Sequence, residues 1–219
     1  AFFYTINKII GYFRLTRSGF PVKNISKRFG IMMKVAFGQT KIFRRPVIGF
    51  LHALVFWGFC VIIFGSIEMV IDGLSGTEKA LKFLGAFYDF LMTSGDIFAL
   101  LVAVAIIIFL ARRLFFHIGR FEGIEMKERS HRDANISLTL ILLLMISLIL
   151  MNTGYAGYKT AAGEEIAGIY PFGAVMARIL SGVSADNFRM MHEISWWAHI
   201  LLIFFFANYL TYSKHFHVF

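Results

Sequence analysis

The stretch 196–219, WWAHILLIFFFANYLTYSKHFHVF, decides how the chain is read. It is apolar until a basic end and carries His199 and His217 eighteen residues apart. At about 3.6 residues per turn that is about five whole turns, so both imidazoles leave one face of a helix. At about 1.5 Å of rise per residue they stand about 27 Å apart, close to the thickness of a bilayer's hydrocarbon core. Sixteen residues separate His215 from His199, which turns His215 by roughly 160° onto the opposite face. A metal-ligating side chain at each end of one membrane-spanning face points to redox centres stacked across a membrane, and b-type haem, one or two, is the cofactor that suits such a site.

The rest of the chain agrees with a membrane setting. Of 219 residues, 58% are hydrophobic and 17% aromatic, beyond the range of ordinary soluble domains. Four long apolar segments stand out, at 46–71, 87–110, 136–151 and 190–212, the third short for a full span. Residues 1–13 read as the end of a further helix. The alternation of a β-barrel is absent. The prediction is an all-α integral membrane bundle of about five transmembrane helices, the first truncated. Residues 1–219 form a single domain: the helix end at 1–13, a basic connection at 14–45, and a four-helix haem-bearing core at 46–219.

Charge orients this bundle. The connection 14–45 holds nine Lys/Arg and no acid. Counting 112–133 and the C-terminal end as well, sixteen Lys/Arg lie on one side, against five in the connections 72–86 and 152–193. The positive-inside rule places the C-terminus in the cytoplasm and the 152–193 stretch outside, with an amphipathic helix expected at 171–180. This distribution accounts for the net charge of +9 without a nucleic-acid partner. The single cysteine, Cys60, excludes a disulfide within the chain and a thiolate cluster.

His52 lies about two turns into the first long segment, in GFLHALVFWGF. A polar side chain at that depth, like His199 in the last segment, is costly without a partner. Depth pairs His52 with His217 around one haem near the cytoplasmic surface. His199 belongs to the outer half and needs another ligand, for which Met69 and His192 are weak candidates. A single haem, or His52 and His199 sharing one iron, are the other arrangements. His215 is an alternative ligand or a propionate contact together with Lys214. His192 reads as interfacial, and His117 and His131 as solvated in the charged loop. Quinone chemistry couples electrons to protons, and Glu68 and Asp96 are the intramembrane carboxylates suited to that exchange. Interhelical hydrogen bonds to Ser66, Thr93 or Ser94 are the structural alternative.

These residues resemble the membrane cytochrome b family of the nitrate reductase gamma subunit, in the form fused ahead of a heterodisulfide-reductase-like iron–sulfur domain. The resemblance covers about residues 34–219 and rests on the segment around His52, on 196–219, and on the basic loop. It implies five helices holding two b haems through two histidines on each of two helices. His52, His199 and His217 match this pattern, whereas the second histidine of the first long segment, expected near Ile62, is missing. It further implies a multi-pass subunit of a quinone-linked oxidoreductase in a bacterial or archaeal cytoplasmic membrane. Such a subunit passes electrons between menaquinone or ubiquinone and a cytoplasmic iron–sulfur domain, itself served by electron-transfer flavoprotein. That iron–sulfur domain is expected beyond Phe219. The competing reading is a cofactor-free membrane anchor or a proton-coupled transporter subunit, although the paired broken helices of transporters are not evident.

Overall fold

The computed structural model describes residues 2–15, 19, 23–116 and 128–213, and among them there are seven α-helices and no strand. α1 (Phe2–Arg14) has 13 residues, about 20 Å and short of a span. α2 (Ile25–Met32) runs into a π-helical turn at Met33–Phe37, and a 3-10 turn at Ile42–Arg44 leads to the next helix, so the basic connection is partly helical. α3 (Pro46–Ser75) starts with proline in its first turn, where the missing N–H costs nothing. It stops at Gly76, whose φ of 69° is the left-handed conformation that glycine adopts freely. After a 3-10 turn at Ala80–Leu84 come α4 (Ala86–Phe115), α5 (Glu128–Ala162), α6 (Pro171–Ile179) and α7 (Ala185–Leu210).

Among the described residues, four helices are long and apolar enough to cross a membrane: α3, α4, most of α5, and α7. Their exposed surface is compatible with a lipid surrounding. Phe59, Ile63, Ile67 and Ile71 form one uncovered ridge on α3, while Ile97, Leu101, Val104 and Ile108 form another on α4. Trp197, Leu201, Phe204 and Phe205 do the same on α7. Water would not tolerate so large an apolar belt, whereas hydrocarbon would. The interior is packed by Ile62, Ala99, Val102, Ala103, Ile106, Leu144 and Met145.

The third segment differs from the sequence reading. α5 has 35 residues and continues to Ala162, and α7 begins at Ala185, so most of 152–193 is helix rather than an open outer connection. The polar run from Asn152 ends the apolar pattern without ending the helix, because Asn152, Thr153, Gly154 and Tyr155 are buried. α6 falls where the amphipathic helix was expected. α5 and α7 run antiparallel and very close. A Cβ on Gly154 would stand 2.6 Å from the His192 backbone nitrogen, and one on Gly157 2.5 Å from the Phe188 ring. Small residues at such a crossing let two backbones approach.

Candidate functional site

His199 is the best-defined candidate. It projects from α7 into the α5 interface and is 2% exposed. Its Nδ1 lies 3.0 Å from the Leu144 carbonyl oxygen and 2.8 Å from Ser147 Oγ. Ser147 donates its own proton to the same carbonyl at 2.9 Å. A carbonyl oxygen can only accept, so Nδ1 carries the hydrogen and Nε2 is the nitrogen with the lone pair. His192, one heptad earlier, repeats the arrangement, with Nδ1 2.9 Å from the carbonyl oxygen of Met151, itself seven residues after Leu144. Its ring lies 5.6 Å from Tyr155 and 5.7 Å from Tyr158. The sequence reading placed His192 at an interface with lipid; the structure makes it a half-buried tether between two helices.

Both histidines line a cavity of about 300 Å³ among α3, α4, α5 and α7. Its apolar wall includes Ile62, Met69, Leu91 and Leu148, and its polar end Glu68, Asp72, Lys79 and Tyr170. Gly65 and Gly95 also line it, and a Cβ on either would meet nothing within 4 Å. The lining begins at Val61 on α3, nine residues past His52 and about 14 Å farther along the axis. His52 therefore does not line this cavity; it is exposed on α3, beside the fully buried Ala53. The structure does not bring His52 and His199 together. His217, His215, Lys214 and His117 lie outside the described residues.

The two intramembrane carboxylates have partners other than the serines and threonine expected. Glu68 is 2% exposed and accepts from the Leu81 backbone N–H at 3.0 Å and the Tyr88 hydroxyl at 3.1 Å. Asp72, one turn on, accepts from Thr77 Oγ1 and from the backbone N–H groups of Lys79 and Ala80. The two acids fold the α3–α4 connection over the cavity. Burial works against the Lys79 ammonium, but Tyr170, Glu68 and Tyr155 around it outweigh that and hold its pKa above the usual lysine value. Lys79 Nζ also sits 4.7 Å from the Tyr155 ring centroid and 5.2 Å from that of Tyr170, a favourable cation–π position. The buried hydroxyl of Tyr170 lies beside Lys79 and the Tyr88 hydroxyl.

Asp96 has a different task. At 1% exposure, it accepts from Asn152 Nδ2 at 2.9 Å and from the backbone N–H groups of Phe172 and Gly173 at 2.7 and 3.1 Å. Those N–H groups belong to the first turn of α6, so a carboxylate from α4 caps a helix that follows α5. Asp96 is not part of the cavity wall. Ser66, Thr93 and Ser94 each donate to a backbone carbonyl instead. The cap was hidden from the sequence because donor and acceptor are 76 residues apart. Lys79, Tyr170 and Tyr88 were missed for a similar reason, since each looks like an ordinary boundary residue until the connection folds back.

The architecture defines an all-helical protein with four potential membrane spans enclosing a histidine-lined cavity. Its curated relatives are iron–sulfur-binding and quinone-linked oxidoreductases. The chain is 25% identical over 205 residues to the EtfAB:quinone oxidoreductase of Syntrophomonas wolfei, covering 89% of this chain and 27% of that protein. It is 27% identical over 222 residues to the probable iron-sulfur-binding oxidoreductase FadF of Bacillus subtilis, covering 99% of this chain and 29% of the relative. The chain thus spans under a third of the length of the relatives it matches. No family model matches, and no solved structure does.

Proposed function

We propose that this chain conducts electrons through b-type haem across a bacterial or archaeal cytoplasmic membrane. At the outer side it would meet a quinone, most naturally menaquinone. At the inner side it would meet an iron–sulfur domain or subunit, supplied by electron-transfer flavoprotein. The observation that carries this reading is His199, whose Nδ1 is fixed by Leu144 and Ser147 while its ring lines the cavity. Fixing one nitrogen leaves the other as a metal ligand and sets the ring plane, the arrangement that metal-binding histidines favour. The open space over Gly65 and Gly95 gives a flat macrocycle room on that wall. His199 thus fits one side of an iron; Ile62 stands where the family pattern would put a histidine, and Met69, Met92 and Met151 are the soft side chains that line the same cavity. His52 and His217 would hold the inner haem, with His215 as alternative ligand or propionate contact.

Bound haem supplies reversible one-electron chemistry, and the chain supplies position and proton contacts. Lys79 and the Tyr170 hydroxyl offer hydrogen-bond donors to a quinone oxygen at the polar end of the cavity. Glu68 anchors the connection that presents Lys79 and stays in reach as an acceptor. Asp96 holds α6 against this end.

A reduced-minus-oxidised optical spectrum tests the reading directly. A b-type α-band is expected, lost in His52→Ala and His217→Ala and largely kept in His215→Ala, with pyridine haemochrome giving the number of haems. A haem-supplemented preparation with no such band would remove the proposal and leave an anchor or transporter.

A further inference from the structure

The cavity beside His199 shares a wall with an open cleft at the α6 end, bounded by Tyr158, Arg189 and Glu193. His192, Glu78 and Trp196 line both spaces. Of these, His192 and Glu78 can carry a proton. The other carboxylates at the polar end are already engaged. Glu68 and Asp72 have their oxygens occupied by donors from the α3–α4 connection. Lys79 sits against two aromatic rings. His192 has only Nδ1 tied, to the Met151 carbonyl, so Nε2 remains able to take and return a proton, as an imidazole does near neutrality. Glu78 is the exposed partner, with a side chain 58% exposed that accepts from the Tyr158 hydroxyl at 3.0 Å and lies 3.7 Å from Lys159 Nζ. The charges facing His192 are Glu78 and Lys79 from the α3–α4 connection and Glu193 from its own helix, and Tyr155 and Tyr158 of α5 flank its ring.

We infer that His192 is the gate through which protons pass between the cavity and the water on the α6 side, with Glu78 as the outer relay. The inference rests on the quinone reading of the cavity. When a quinol is oxidised there, two O–H bonds break and two electrons leave toward the haem and the iron–sulfur acceptor at the opposite side. Each proton moves to His192 Nε2, then to Glu78 and the water of the cleft, and quinone remains. Quinone reduction runs the same path backwards. Because Met151 holds Nδ1, the proton enters and leaves through one nitrogen rather than crossing the ring.

The test uses the protein in liposomes with ferricyanide inside, menadiol as donor, and an impermeant pH dye outside, with protein-free vesicles subtracted. Binding of a hydroxyquinoline N-oxide, a quinone analogue, is measured in parallel. His192→Gln should keep the haem spectrum and bind the analogue within about twofold of the parent. It should slow turnover and external acidification at least about tenfold, as loss of a proton-transfer group does, and added imidazole should restore both. Glu78→Gln should show a smaller loss of the same kind. Turnover within twofold of the parent in His192→Gln, or a loss that imidazole does not relieve, would overturn the gate while leaving the quinone reading intact. A parent protein that binds no analogue would sink the quinone reading, and the gate with it.

Discussion

Replacing Asp96 by alanine strips the acceptor from three donors at once: Asn152 Nδ2 and the N–H groups of Phe172 and Gly173. Each donor left unpaired in a buried site costs about 1–3 kcal/mol, and bonds to a charged acceptor lie at the upper end. The three will not add in full, because the first turn of α6 can swing toward water once it is released. About 3 kcal/mol is therefore a fair figure for local detachment of α6, and it corresponds to about a hundredfold rise in the detached population. Trypsin reads that population, since Arg178 lies on the exposed side of α6 and cleavage follows the open fraction when opening is fast. Cutting after Arg178 should accelerate about a hundredfold in Asp96→Ala. Asp96→Asn keeps a neutral acceptor and should give a smaller rise, about tenfold. Arg189, exposed on α7, serves as the internal control. Cleavage at Arg178 within threefold of the parent in Asp96→Ala would refute the cap.

Gly154→Ala should lower thermal stability by about 3 kcal/mol or more, because its methyl group meets the backbone of His192 and Phe188, which cannot rotate away as an overpacked side chain can. Gly65→Ala has open space and should leave folding unchanged; labelling of the single Cys60 by a thiol-reactive dye during heating reports both. Glu68→Gln should speed hydrogen exchange at the Leu81 amide at least several-fold and slow quinone turnover without removing haem; unchanged exchange would show that Glu68 does not hold the connection. Lys79 is raised above its unfolded pKa, so its contribution to stability is complete below about pH 10.4 and fades as pH rises through the folded value. The parent protein should therefore lose stability in strong alkali more steeply than Lys79→Met, as followed by circular dichroism.

The sequence showed its bundle through long apolar runs, and Pro46 marks the start of α3 by its backbone chemistry, whereas the end, read at Ile71, falls at Ser75. It concealed the last third of α5, at 152–162, since Asn152, Thr153 and Tyr155 look like the start of an outer loop. Asn152 meets Asp96 and α6, Tyr155 packs on Tyr170 and His192, and Thr153 bonds back to Ile149; an average over hydropathy cannot distinguish a group facing water from one satisfied within the fold. The same reason explains the carboxylates. Their depth made Glu68 and Asp96 conspicuous, but their partners, Leu81, Tyr88, Asn152 and α6, are set by how the connections fold back. His199 stood out as a polar side chain inside an apolar run; its anchor on Leu144 and Ser147 did not.

The paired tethers of α7 have a mechanical consequence. Leu144 with His199 and Met151 with His192 work like two rivets on one seam, so α7 can neither slide along α5 nor turn about its own axis without shearing both. The two imidazoles keep a fixed axial offset of about 10 Å. A bulky guest must then be accommodated by the opposite wall of α3 and α4, which Glu68 and Tyr88 join.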